Sequence, residues 1–125
     1  NTLWSDATGQ DFPMGVLIAR RDFVENRASD LQGMLTELKA SIDDVNTASD
    51  EVAQKIVDAG FLGNPDIAKK AIPNCSLCLY ADADGDMSFA KGTEIMKTFN
   101  ETMFALTPQA VGGALPGDDL YYTGE

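Results

Sequence analysis

Histidine is missing from the 125-residue sequence, and its absence excludes several chemistries at once. A chain without imidazole has no Ser–His or Cys–His nucleophilic pair, no His-ligated zinc and no imidazole proton shuttle. Basic residues are also scarce, because nine Lys and Arg stand against twenty Asp and Glu and leave a formal net charge of −11 at pH 7. A surface this acidic repels phosphate backbones and anionic lipids, which argues against nucleic-acid binding.

Cysteine and long apolar runs are equally scarce. The two cysteines are too few for a disulfide framework. No apolar run approaches the ~18 residues of a membrane span, and no basic segment leading into an apolar one marks a signal peptide. The chain begins at Asn1 rather than Met, so we expect either that something was removed upstream or that the sequence is a piece of a longer protein. Hydrophobic residues at 44% and charged residues at 23% are typical of one globular domain.

The order of apolar residues predicts mostly helix with two strands, after an irregular arm over residues 1–14. Short apolar runs predict strands from Gly15 to Ala19 and from Ser76 to Ala81. A stripe at helical spacing predicts an amphipathic helix from near Asn26 to Asn46, with its inward residues at Leu31, Met34, Leu35, Leu38, Ile42 and Val45. Two isolated strands do not form a stable sheet, so we expect part of a larger α/β layer or pairing with a second copy.

Capping residues place the remaining helices. A second helix is predicted from Thr47 or Ser49 through Ala59, with Gly60 as its stop. The later predicted helices are a short one opened by Asn64-Pro65 and ended by Pro73, a long one from Ser88 or Gly92 to Leu106, and a final turn from Thr107-Pro108 to Gly112-Gly113.

The acidic segment from Asp82 to Phe89 resembles the first two-thirds of an EF-hand calcium loop. Its carboxylates at Asp82, Asp84 and Asp86 occupy the first, third and fifth positions of that loop. Two requirements fail, because Met87 stands where the turn needs glycine and Thr93 stands where a bidentate Glu is needed. An acidic surface turn is therefore favoured over a calcium site.

Cys75 and Cys78 have the CxxC spacing of a redox dithiol or of half a zinc site. The sequence has no third cysteine and no histidine to complete a zinc site. In the predicted strand a spacing of three places the thiols on opposite faces, so two small buried hydrophobic side chains are the favoured interpretation. The acidic pairs Asp43-Asp44 and Asp118-Asp119 are sequence neighbours, which diverge on a helix, and they predict solvated surface rather than a catalytic pair.

Four segments resemble the late part of periplasmic-type solute-binding proteins of ABC importers. The branch concerned includes nitrate, sulfonate, taurine and thiamine-precursor binders. The more general segments are Phe12-Pro13-Met14-Gly15-Val16-Leu17-Ile18-Ala19-Arg20-Arg21-Asp22-Phe23-Val24-Glu25-Asn26 and Ser41-Ile42-Asp43-Asp44-Val45-Asn46. The more specific segments are Ala71-Ile72-Pro73-Asn74-Cys75 and Val111-Gly112-Gly113-Ala114-Leu115-Pro116-Gly117-Asp118-Asp119-Leu120-Tyr121-Tyr122. The likeness extends from about Trp4 to Tyr122, although Arg27 stands where the branch usually has proline.

This resemblance implies an α/β fold in which the chain is the C-terminal part of one lobe of a two-lobed binding protein. The arm would then be residues 1–14 and the α/β core residues 15–122. The implied function is capture of a small solute outside the membrane, in the periplasm or at the outer face of the cytoplasmic membrane, and its delivery to the permease subunits of the importer. The resemblance implies no enzymatic activity and no cofactor. The alternatives are an acidic protein-interaction module and a calcium-binding module.

Two loops are the candidate ligand-binding segments. Asn74 and Cys75 enter the second predicted strand with an amide and a thiol, and Gly112 and Gly113 permit close backbone approach. A purely structural role competes at each, because Asn74 can turn the chain after Pro73, Cys75 can pack in the core, and the glycines can end a helix. Apolar surface left by missing strands also predicts that the chain self-associates as a dimer.

Overall fold

The computed structural model describes residues 2–80 and 87–124 and is mostly helical, as predicted. The α-helices of this part are α1 (Thr2–Thr8), α2 (Arg21–Asn26), α3 (Ala28–Asn46), α4 (Asp50–Asp58), α5 (Pro65–Ala71) and α6 (Phe89–Leu106). Short 3₁₀ turns follow at Ile72–Asn74, Pro108–Val111 and Asp118–Leu120. The chain divides into two compact units, one of Asn1–Ile18 with Tyr80–Glu125 and the other of Ala19–Leu79.

Helix α3 is the longest element of the unit formed by Ala19–Leu79, and its span agrees with the prediction. Its start differs, because Asn26 ends the short helix α2 and Arg27 occupies the N-cap position of α3 without a side-chain cap. The Arg27 guanidinium instead donates to the Asp30 carboxylate at 2.6 Å. A negative charge in the first turn also suits the positive end of the helix dipole.

The predicted stripe of α3 is only partly buried. Leu31 and Leu35 are buried, whereas Met34 is 46% exposed, contrary to the prediction. The lower part of the stripe, Leu38, Ile42 and Val45, is half-buried. In the described ranges no strand packs over this face, so the stripe has fewer apolar neighbours than a covered helix face has.

Helices α4 and α5 form a closely packed pair whose boundaries follow the predicted signals. Ser49 caps α4, its hydroxyl oxygen accepting from the Val52 N–H at 3.2 Å. Asn64 caps α5 by accepting from the Asp66 N–H at 2.7 Å. Ala53 of α4 and Ala68 of α5 are small and fully buried, which suits the close packing of these two helices.

Gly60 ends α4 with a Schellman motif. Its φ of 80° lies in the left-handed region that glycine occupies without strain. The Gly60 N–H donates to the Val57 carbonyl at 2.9 Å and the Phe61 N–H donates to the Ile56 carbonyl at 3.2 Å. These two bonds satisfy carbonyls that the helix end leaves open, as the sequence predicts.

The unit of Asn1–Ile18 with Tyr80–Glu125 is organised around α6. Ser88 caps this helix, and Ile95, at 1% exposure, is its buried anchor. The prediction of an irregular arm over residues 1–14 was wrong in its first part, because residues 2–8 form α1. Gly9 and Pro13 interrupt the helix only after this point. Trp4 then contacts Phe99 and Phe12, with ring centroids 5.7 and 5.4 Å apart.

The two predicted strands are not formed within the described ranges. Residues 11–20, including Gly15–Ala19, run without helix, strand, turn or bend. Ser76 to Tyr80 is irregular as well, and Ala81 lies outside the described residues. The physical reason is that a strand needs a neighbour for its backbone hydrogen bonds, and Ser76, at φ 51°, takes a left-handed conformation that interrupts an extended run.

Candidate functional site

Asn74 and Cys75 lie together at the end of the 3₁₀ turn that follows α5. The Asn74 amide donates to the Lys70 carbonyl at 3.0 Å, and the Cys75 thiol donates to the Ala71 carbonyl at 3.4 Å. Both residues are exposed. Each side chain therefore satisfies a carbonyl of the helix end, and each remains accessible to a ligand.

The expectation that Cys75 and Cys78 pack as small buried side chains was wrong. Both thiols are free and exposed. The argument from opposite faces of a strand also fails, because residues 76–80 form no strand. Ser76 stands between the two cysteines in the left-handed region, which costs a non-glycine residue about 1–2 kcal/mol and marks the loop as locally strained.

Gly112 and Gly113 lie in the other compact unit, after the 3₁₀ turn Pro108–Val111. Their φ angles are 79° and 84°, so both require the left-handed backbone that glycine permits. The Gly113 N–H donates to the Pro108 carbonyl at 2.9 Å, and the Gly112 N–H donates to the Gln109 carbonyl at 3.2 Å. Both backbone amides are therefore engaged in ending the turn. These hydrogen bonds support a role in turn termination at this pair rather than a role in ligand binding.

A groove between α6 and the C-terminal tail was not predicted from sequence. Its cavity volume is about 160 Å³, room for a few waters or one small polar group. Helix α6 contributes Lys97, Asn100 and Glu101, and the tail contributes Leu115, Pro116, Asp118 and Tyr121. The aromatic pair Tyr121-Tyr122 is recognisable in the sequence as a residue pair that could attach the tail to the core. No local sequence pattern indicates which residues of α6 contact it.

Ion pairing and hydrogen bonding hold the two walls of this groove together. The Lys97 ammonium lies 2.6 Å from the Asp118 carboxylate, and the Asn100 amide donates to the Tyr121 hydroxyl at 3.0 Å. Hydrogen bonding to Lys97 lowers the pKa of Asp118, and the same bond raises the pKa of Lys97. The Asp118-Asp119 pair was predicted to be solvated surface. Asp118 is exposed, as predicted, and it also forms the ion pair with Lys97.

The calcium-loop prediction cannot be placed on the structure, because Asp82, Asp84 and Asp86 lie outside the described residues. Within the ranges 2–80 and 87–124, no group of three or more carboxylate or thiol side chains is arranged to hold a metal ion.

A hollow beside Trp4 has a volume of about 480 Å³ and walls from Thr2, Leu3, Trp4 and Phe12. The Trp4 Nε1 is buried and finds no hydrogen-bond partner among the described residues. A buried N–H without an acceptor is unfavourable by about 1–3 kcal/mol.

Comparison of the chain with known proteins identifies no relative. No protein-family model, curated protein or solved structure matches the chain. Across the residues that the structure describes, none of the helices is both long and apolar enough to span a bilayer.

Proposed function

We propose that this chain belongs to the solute-binding component of an ABC importer, as the C-terminal part of one lobe of a two-lobed binding protein. The complete protein captures a small molecule outside the membrane and delivers it to permease subunits. This proposal rests on the resemblance of the segments around Gly15–Asn26, Ala71–Cys75 and Val111–Tyr122, together with the packing described above.

The observation that carries the proposal is the exposed segment Met14–Ile18. Met14, Val16, Leu17 and Ile18 are apolar, two of them are β-branched, and all four are exposed. Such a composition is typical of a strand buried in a sheet. Exposure of these apolar side chains to water is unfavourable, and burial in a sheet would remove that cost. A sheet supplied by the rest of a lobe explains both the composition and the lack of a partner strand in the described ranges.

The small core supports the same conclusion. Across the described residues, the buried hydrophobic side chains are Leu31, Leu35, Val52, Ala53, Ala68, Ile72 and Ile95. Large apolar residues such as Leu3, Phe61 and Leu106 are exposed by 74% or more. A chain that leaves this much apolar area in water is well suited to packing within a larger body.

Cleft closure on a solute is the mechanism that the proposal implies, with the two lobes rotating about their crossover segments. Asn74 and Cys75 are the residues we assign to the cleft, because an exposed amide and an exposed thiol lie side by side there. Gly112 and Gly113 are the second candidate, where a ligand can approach the backbone. Since the second lobe contributes the other wall of the cleft, the 125-residue chain alone should bind no solute tightly.

Uptake by cells tests this function directly. Deletion of the gene that encodes the chain should abolish high-affinity uptake of at least one labelled probe among nitrate, taurine and an aminopyrimidine, and the restored gene should recover it. Restoration with Asn74→Ala should recover only part of the uptake, with Asn46→Ala as the matched control, because Asn46 instead donates to the Leu77 carbonyl. Unchanged uptake of all three probes after deletion would contradict the proposal.

A further inference from the structure

We propose that Cys75 and Cys78 form a thiol–disulfide exchange site, in which a small-molecule disulfide of the glutathione type oxidises the pair to an intramolecular disulfide. This proposal concerns the thiols of the 125-residue chain itself and does not depend on the solute-binding function. Both thiols are free and exposed, so a disulfide in solution can reach either sulfur. The sequence has two cysteines, so each has the other as its sole thiol partner within the chain.

Redox chemistry suits this pair better than metal binding does. A tetrahedral zinc site needs four ligands, and the sequence has neither a third cysteine nor a histidine. In residues 2–80 and 87–124 no group of three or more metal-ligating side chains is assembled, so described carboxylates do not complete a site around the two thiols. Two thiols, by contrast, are all that a disulfide requires.

The backbone between the two cysteines can close the ring with little loss of structure. A disulfide needs Cα atoms about 4.4–6.8 Å apart, and a four-residue β-turn brings its first and fourth Cα atoms within about 7 Å. Ser76 already has the positive φ, at 51°, that type I′ and II′ turns require of their second residue. Residues 76–79 form no helix, strand or turn that closure would break. The Asn46 amide donates to the Leu77 carbonyl, which is not the carbonyl that a turn of this segment uses.

The two thiols are not equivalent, and their contacts set the order of the reaction. The Cys75 thiol donates to the Ala71 carbonyl at 3.4 Å, so its proton is held at the end of α5 and a thiolate there would face the same carbonyl oxygen. The Cys78 thiol has no such partner among the described residues. Because the thiolate is the attacking species, Cys78 reacts first and Cys75 second.

Each step conserves atoms and electrons. The Cys78 thiolate attacks one sulfur of oxidised glutathione, so that a Cys78–glutathione bond forms, the S–S bond of the oxidant breaks, and one glutathione leaves and takes up the proton that Cys78 released. The Cys75 thiol then loses its proton to water and attacks the Cys78 sulfur. This step forms the intramolecular disulfide and releases the second glutathione, which is protonated from water. The two cysteines lose two electrons in all, and one oxidised glutathione gains them.

Treatment with oxidised glutathione, followed by measurement of the intact mass, tests the site on the 125-residue chain. The wild-type chain should lose the mass of two hydrogen atoms, carry no glutathione, and recover its mass in dithiothreitol. Cys75→Ser should stop at the mixed disulfide and carry one glutathione. Cys78→Ser should acquire its glutathione about fivefold more slowly than Cys75→Ser does, because the thiol hydrogen bond must be broken first.

Denaturing urea provides the control, because the contact with Ala71 is lost there and the two single variants should react at equal rates. Without urea, circular dichroism should show equal helix content in all three proteins, since both cysteines are exposed and lie outside the α-helices. A wild-type chain that ends with a glutathione on each cysteine, or that forms a disulfide between two chains instead, would overturn the proposal. Equal rates for the two folded variants would overturn the proposed order of attack.

Discussion

The Lys97 ammonium lies 2.6 Å from the Asp118 carboxylate and joins the middle of α6 to the C-terminal tail. Three residues further along the same helix face, Asn100 donates to the Tyr121 hydroxyl at 3.0 Å. Phe89 contacts Tyr122 edge to face, with ring centroids 4.9 Å apart. The C-terminal tail is thus fixed to α6 by several different contacts.

Removal of the Asp118 charge should loosen this attachment in a pH-dependent way. The pKa of Asp118 is lowered from 3.8 by Lys97, so its stabilising contribution is present above that value and is lost as the pH falls through the lowered pKa. The pKa of Lys97 is raised from 10.5 by Asp118, so its contribution is present below that value and is lost as the pH rises through the raised pKa. Asp118→Asn should therefore be slightly less stable than wild type at neutral pH and equal to it in strong acid.

Urea unfolding across the pH range measures this difference, with Glu37→Gln as a control that removes the same charge from an exposed position of α3. Because the pair is exposed, the effect is expected to be small. A stability difference between wild type and Asp118→Asn that does not change with pH would contradict the assignment.

A second prediction contrasts two glycines of the same compact unit. Gly112 has a φ of 79°, whereas Gly92 lies within α6 and has open space where a Cβ would stand. Gly112→Ala should lower the free energy of unfolding by about 1–2 kcal/mol through backbone strain. Gly92→Ala should raise it by about 0.5–1 kcal/mol, because alanine favours helix. Thermal or urea unfolding measures both, and equal effects would contradict the left-handed assignment at Gly112.

Ser49 provides a third prediction, because its hydroxyl accepts from the Val52 N–H at the start of α4. Ser49→Ala should destabilise the chain by about 1 kcal/mol through loss of this cap. Ser41→Ala, on the exposed surface of α3, should be neutral or slightly stabilising. If both substitutions change the urea midpoint by the same amount, the cap contributes nothing.

Asn74→Ala provides the fourth prediction and separates a ligand-binding role from a structural one. In the complete protein it should weaken solute binding by about 1–3 kcal/mol if the amide hydrogen-bonds to a buried ligand. A structural role would instead lower thermal stability alone, through the lost bond to the Lys70 carbonyl. Calorimetric titration and thermal unfolding of the same variant distinguish the two outcomes.

Sequence signals that act over a few residues predicted the structure well. The span of α3, the cap at Ser49, the stop at Gly60 and the start at Asn64-Pro65 all depend on neighbours within one or two turns, and they are confirmed. The failures depend on distant partners. Gly15–Ala19 has the composition of a strand, but the described ranges contain no strand with which it could pair. Met34 lies on the apolar stripe of α3, but in the described ranges no further element packs over it and it is exposed.

The candidate site divides in the same way. The turn role of Gly112 and Gly113 follows from local backbone chemistry, and the structure shows it directly. The exposure of Cys75 and Cys78 was missed, because burial is decided by what packs over a loop rather than by the residues of the loop. Lys97 and Asn100 were missed for the same reason, since their partners lie about twenty residues further along the chain.

The most direct test of the solute-binding account is calorimetric titration of two proteins with nitrate, taurine and an aminopyrimidine. One protein is the product of the complete reading frame that contains this sequence, and the other is the 125-residue chain alone. The account predicts that the complete product binds one of these probes with at least micromolar affinity and that the 125-residue chain binds none of them measurably. A complete product that binds none of the three, or a 125-residue chain that binds one as tightly as the complete product, would contradict it.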